Sequence, residues 1–388
     1  MSTQRPLSES QAKSEGNTGF SPPPYPYEGL AAVRQLASAH EGGEIDCSIG
    51  TPCDPPPAMV REALANSDSE RGYPTSQGSL DLRSAASRWV KRRFGLDLEP
   101  SEVTACVGTK EFVASSAHFL SLRSPERDTV LYPEIAYPSY AMGATLAGGR
   151  AVGVPALPDG RMDLASIDPS DRARALMLWV NSPANPSGAL DDLEAAARWG
   201  RAAGVPVFSD ECYCEFTWQG PARSILEHGL EGVVAVHSLS KRSNLAGIRL
   251  GFFAGDPEIT SYLRSVRQHA GLMVPGPVQA CAALAFDDDE HVQVQREIYL
   301  RRLKLVAKGL EEGGFAASLP AGAFYLWIKV PERLHDGWAM AEELASRCGM
   351  VVSPGDLYGK SAAGFVRIAV VQSDDRLALA MERLRETR

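Results

Sequence analysis

Apolar runs of four to six residues alternate along this chain with longer stretches in which apolar residues recur every three or four positions. The short runs predict strands over 103–107, 129–132, 151–154, 175–180, 205–209, 233–237 and 250–254. The longer stretches, such as 111–122 and 190–203, predict helices. Seven strands suffice for one large sheet, and runs without polar interruption imply burial on both faces. The expected fold class is therefore α/β, with a seven-stranded, mostly parallel sheet flanked by helices. Beyond about residue 275 the texture changes. A helical stretch over 289–313, strands over 324–330, 350–352 and 365–371, and a helix from Asp374 predict a smaller α+β domain. The expected division is a tail and arm over 1–44 that belongs to the small domain and the dimer contact, a large domain over 45–275 and a small C-terminal domain over 276–388. No internal repeat interrupts it.

Composition narrows the class. Of 388 residues, 44% are apolar and 22% charged, the profile of a soluble globular protein. Lys and Arg total 39 against 48 Asp and Glu. A net charge of −9 disfavours nucleic-acid binding, while leaving room for a local basic pocket for one phosphate. Seven scattered cysteines do not form a disulfide framework. Cys212 and Cys214 stand one residue apart, not at zinc-knuckle spacing, and read as buried or half-buried thiols, so no metal site is expected. The polar stretch Met1 to Gly16 lacks the apolar core of a secretory signal, and no apolar run is long enough for a membrane span. The expected compartment is the cytoplasm. The Pro-rich stretch 21–27, with Tyr25 and Tyr27, reads as a tail or as a strap on a partner subunit.

Two strand ends carry the chemistry. Lys241 follows the run 233–237 directly, among Ser238, Ser240 and Ser243, where a strand end opens into a crevice. Alone it reads as a solvated loop lysine. Asp210 closes the run 205–209, and Tyr213 follows three residues on. A Lys for a Schiff base, an acid to keep a pyridine nitrogen protonated and a phenol for the ring hydroxyl are the groups that pyridoxal phosphate needs. Lys241 is also the natural base for the substrate α-proton, and Arg249 nearby lowers its pKa.

The chain resembles the fold-type I, class I/II aminotransferases from about residue 44 onward. Ser238-Leu239-Ser240-Lys241 with Arg249 eight residues on looks like that family's cofactor-lysine signature, and Asp210-Glu211-Cys212-Tyr213 is similar to its Asp-x-x-Tyr pair. Asn185-Pro186-Ser187-Gly188 resembles its Asn-Pro-Thr-Gly turn, which implies that Asn185 meets both the ring hydroxyl and the substrate carboxylate. Gly108-Thr109-Lys110 opens a helix after a strand; the resemblance implies that Thr109 and Lys110 hold the cofactor phosphate with Ser238, Ser240 and Arg249. Tyr137 is expected to stack on the pyridine ring, and Tyr73 to reach the phosphate of a neighbouring subunit, which implies a homodimer with shared sites. Arg367, one guanidinium in an otherwise apolar run, needs an anionic partner. A structural ion pair would serve; the resemblance implies the substrate α-carboxylate, with Gly50 admitting backbone close to it.

Substrate is less legible. The stretches 133–140, 241–247, 273–279 and 353–359 resemble the actinobacterial-type N-succinyldiaminopimelate aminotransferases, whereas Phe365 and the run 369–373 depart from that subgroup. The leading expectation is transfer of an amino group, with glutamate as donor, to a 2-oxo acid. The alternative is β/γ-elimination, replacement or carbon–carbon bond formation in specialised metabolism, on a substrate such as S-adenosylmethionine. A cofactor-binding regulator fused to a DNA-binding domain does not fit, because residues 1–44 are too short and too Pro-rich for a helix-turn-helix.

Overall fold

The computed structural model describes residues 19–69 and 71–387; the polar Met1 to Gly16 stretch lies outside them. The strands, in chain order, are β1 (Ile45–Asp46), β2 (Val103–Cys106), β3 (Thr129–Pro133), β4 (Arg150–Val154), β5 (Ala175–Asn181), β6 (Val207–Asp210), β7 (Val233–Ser238), β8 (Gly251–Gly255), β9 (Tyr325–Lys329), β10 (Met350–Val351), β11 (Ser353–Pro354) and β12 (Phe365–Ala369). Seven of them form one sheet in the order β2-β8-β7-β6-β5-β3-β4. All neighbours run parallel except β8, which is antiparallel to both β2 and β7. Every residue of β5 and β7 is buried, as unbroken apolar runs require of a sheet covered on both faces.

Local chemistry explains where the observed elements depart from the expected ones. β6 begins at Val207 and not at 205, since Pro206 has no N–H to give the ladder. The helix expected from 190 begins at Leu193, because Asp192 caps it by accepting from the Ala195 amide. The single strand expected over 350–352 is two, as the chain changes partner: β10 pairs in parallel with β1, and β11 pairs antiparallel with β12.

Two apolar clusters flank the large sheet, and a third lies within the smaller body around β9 and β12. These clusters divide the chain differently from the expected limits. Ile45 and Cys47, expected in the large domain, pack in the small-body cluster with Leu303, Met350 and Leu377. Helix Gly276–Asp287, expected in the small domain, contributes Cys281, Ala285 and Phe286 to the layer on the large sheet. No helix of the described residues is long and apolar enough to cross a membrane.

Candidate active site

The carboxyl ends of β5, β6 and β7 open beside the first turn of helix Thr109–Arg123, where parallel sheets commonly bind ligands. A cavity of about 390 Å³ lies there. It gathers Gly50, Thr109, Lys110, Tyr137, Asn185, Asp210, Tyr213, Ser238, Ser240, Lys241, Arg249 and Arg367, which is every predicted site residue except Tyr73. Tyr73 is fully exposed, away from its own chain's cavity.

One end of the cavity suits a dianion. Gly108 has φ +74°, and a Cβ built on it would lie 2.4 Å from Arg249 Nη2, so only glycine lets that guanidinium close over the helix start. Arg249 itself adopts a left-handed φ of 56° and donates from Nη1 to the Ala246 carbonyl at 2.7 Å. Ser238 Oγ accepts from the Ser240 amide at 3.0 Å and caps the short helix Leu239–Arg242. Thr109, Ser238, Ser240, Arg249 and the amides of the helix start together offer hydroxyls, N–H groups and positive charge. The Lys110 ammonium turns to the arm: Nζ donates to Tyr25 Oη at 3.2 Å and lies 4.9 Å from that ring's centre. The arm covers this chain's own cavity, with Tyr25 and Tyr27 in its lining and Tyr27 Oη 3.1 Å from Tyr358 Oη. The sequence left a tail or a strap on a partner subunit as the two readings of this arm.

The middle of the cavity carries a carboxylate without a counter-charge. Asp210 accepts from the Cys212 amide at 3.2 Å through Oδ1 and from Tyr140 Oη at 2.9 Å through Oδ2. No cation of the described residues pairs with it, and burial raises its pKa against the pull of those hydrogen bonds. A protonated pyridine nitrogen is the group that such an acid fits. Tyr140 was missed in the sequence, where Tyr137 three residues earlier drew the assignment; its ring stacks on Trp179 with centres 5.2 Å apart. Tyr213, expected to meet the ring hydroxyl, shares a hydrogen bond of 2.7 Å with Tyr325 Oη.

Lys241 stands between the two ends, and its Nζ donates to the Gly50 carbonyl. Burial, aided by Arg367 and Arg249 and opposed by Cys212, lowers its pKa to about 8. A free amine is thus accessible near neutral pH, as a nucleophile or base requires.

The far end presents a buried guanidinium. Arg367 is 2% exposed, donates from Nη1 to Asn185 Oδ1 at 2.7 Å and from Nη2 to the Ser48 carbonyl at 2.5 Å, and keeps a buried Nε without a partner. Its guanidinium lies 4.3 Å from the ring centre of Tyr325 and 4.8 Å from that of Tyr358. No carboxylate of the described residues pairs with it, so the structural ion pair is absent. Tyr325 was also missed, because a Tyr inside an apolar strand reads as core. It packs so closely that a Cβ on Gly50 would meet its hydroxyl at 2.2 Å.

Comparison with known proteins agrees with this geometry. The model of the family described as aminotransferase class I and II matches residues 43–384. A probable aminotransferase of Mycobacterium tuberculosis is 40% identical, covering 96% of this chain and 88% of its own. The 4-dedimethylamino-4-oxo-anhydrotetracycline transaminase of Streptomyces rimosus is 38% identical over 93% of this chain and 99% of its own. Among solved structures, a probable N-succinyldiaminopimelate aminotransferase from Thermus thermophilus superposes with a TM-score of 0.84 at 33% identity, covering 94% of this chain and 100% of that one. The chain belongs to the class I and II aminotransferases, enzymes that use pyridoxal 5'-phosphate.

Proposed function

We propose that this aminotransferase moves the amino group of glutamate to a 2-oxo acid of the succinyldiaminopimelate type. The observation that carries the reading is Arg367, a buried guanidinium that pairs with no carboxylate of the described residues, at the end of the cavity opposite the phosphate cradle. Every amino acid and 2-oxo acid presents a carboxylate that would complete it. The name of the Thermus thermophilus structure supports the acceptor class, as do relatives named LL-diaminopimelate aminotransferases, one of them from Aquifex aeolicus at 34% identity. These names favour amino transfer over elimination or replacement.

Pyridoxal phosphate, when bound, supplies an aldehyde to take up the amino group and an electron-poor ring to stabilise negative charge at the substrate Cα. Thr109, Ser238, Ser240 and Arg249 would hold its phosphate. Asp210, fixed by Tyr140 and the Cys212 amide, would hold a proton at the pyridine nitrogen. Asn185 and Tyr213 would face the ring hydroxyl, with Tyr137 against the ring. Arg367, steadied by Asn185 and the Ser48 carbonyl, orients the substrate carboxylate. The Lys241 amine, its pKa lowered to about 8, would take the proton from the substrate Cα and hold it for return. Tyr25 and Tyr27 shield the cavity from water.

We further propose a homodimer in which Tyr73 serves the partner's cavity, since this aromatic is fully exposed in one chain. Leu64, Leu80 and Leu284 are exposed on helices packed against one another, a surface that a second copy would cover. The cytoplasm is the proposed compartment, in line with seven cysteines that form no disulfide. Two measurements test these readings. Glutamate should bleach the cofactor's absorbance band and release 2-oxoglutarate; no change in the band and no 2-oxoglutarate would remove the donor. Mixed dimers of inactive Lys241→Ala and Tyr73→Ala chains should regain turnover, and no recovery on mixing would refute the shared site.

A further inference from the structure

The phosphate cradle has a carboxylate behind it. Glu111 is the third residue of helix Thr109–Arg123, and its Oε2 turns back to accept from the Val107 amide at 3.3 Å, just ahead of the helix start. A carboxylate at this place stabilises a helix, because it meets the positive end of the dipole. It equally opposes a phosphate dianion held at that same end, competing for the same field. The molecule answers this conflict with Arg267 of helix Pro257–His269. Its guanidinium forks onto Glu111, Nη1 to Oε1 at 2.8 Å and Nη2 to Oε2 at 2.6 Å. Arg267 is 1% exposed, with Phe112 and Phe253 rings 5.4 and 5.8 Å away, so water reaches the pair only from the Glu111 side, whose side chain is 22% exposed.

We infer that Arg267 is a positioning residue for the cofactor: by cancelling the Glu111 charge it leaves the helix start available to the phosphate, without touching the phosphate itself. The inference rests on the reading of Thr109, Ser238, Ser240 and Arg249 as the phosphate cradle. Sequence alone does not reveal it, since Arg267 stands 156 residues from Glu111.

The test is cofactor titration of the full chain, prepared free of cofactor, with pyridoxal phosphate and separately with pyridoxal, which has the same ring and no phosphate. Arg267→Met should raise the Kd for pyridoxal phosphate about tenfold and leave that for pyridoxal unchanged, because only the phosphate feels the bared carboxylate. Adding Glu111→Gln to Arg267→Met should return the Kd to within about threefold of the parent. An unchanged Kd in Arg267→Met, an equal weakening of both ligands, or no recovery in the double variant would each overturn the inference. Should Arg267→Met not fold, Glu111→Gln alone decides: it keeps the cation and should tighten pyridoxal phosphate, and an unchanged or weaker Kd would refute the charge balance. Arg249→Met separates the two levels of reading. If it leaves the Kd of pyridoxal phosphate at the parent value, the cradle itself is misplaced; if it weakens binding while Arg267→Met does not, only the role of Arg267 fails.

Discussion

Arg242 and Arg367 are both 2% exposed, and they meet opposite surroundings. Arg242 donates to Glu215 at 3.0 Å and to Asp289 at 2.8 Å, with the carbonyls of Ala285 and Asp288 taking further N–H groups. Arg367 has an amide oxygen, one carbonyl and two tyrosine faces, and no carboxylate of the described residues. The acids show the same contrast. Glu215 is shared among Arg93, Arg242 and the Trp89 indole, whereas the donors to Asp210 among the described residues, on Tyr140 and Cys212, are neutral. Burying an unpaired charge is costly, so a protein keeps one where a ligand completes it. Equal burial thus separates into structural groups, which are neutralised within the chain, and functional groups, which are left one partner short.

Substitutions can break this contrast. Lys241→Ala should lower turnover by about 10⁴-fold with the fold intact, since both nucleophile and base are lost; 2-oxo acid production above that level would refute its assignment. Arg367→Met should lower kcat/KM by about 10²-fold for every amino acid, mainly through KM, while the melting temperature holds or rises. Arg242→Met should do the reverse, costing about 1–3 kcal/mol of stability because Glu215 keeps only Arg93 as a cation and the Ala285 and Asp288 carbonyls lose their donors. A loss of stability in Arg367→Met as large as in Arg242→Met would erase the distinction between them.

A subtler case is Glu211, fully buried with its Oε2 3.4 Å from His237 Nε2. Burial raises its pKa from 4.5 to about 8, and lowers that of His237 to about 3, so both are neutral near pH 7. Between pH 4.5 and about 8 the folded chain keeps a Glu211 proton that the unfolded chain has released, so this group's contribution to stability falls as pH rises through that window. Glu211→Gln, which cannot ionise, should therefore gain melting temperature over the parent as pH rises across it; a constant difference would mean that Glu211 is ionised in the fold. The smallest expected effect is that of Tyr325→Phe, which keeps the ring under Arg367 and removes the hydrogen bond to Tyr213, about 1 kcal/mol and a few-fold in kcat.

Much of this architecture was legible in the chain. Unbroken apolar runs located all seven strands of the large sheet, and strand-end Asp210 and Lys241 located the cavity. Pairings distant in sequence were not legible. Tyr140 looked like a neighbour of Tyr137, although only the fold brings its hydroxyl to Asp210, 70 residues on. Tyr325 was hidden in an apolar strand, and the limits of the two bodies followed packing clusters that composition along the chain does not display.

The pairing of β1 with β10 has a consequence for the order of assembly. Ile45 waits for Met350, so the segment that carries Ser48 and Gly50 closes the strand pairing most widely separated in sequence among the described residues. On a ribosome that delivers the polypeptide from its amino end, the large sheet with Asp210 and Lys241 emerges complete while that segment is still without its partner strand. The end of the cavity proposed to take the substrate carboxylate, lined by Gly50 and Arg367 together, is therefore the last part to mature.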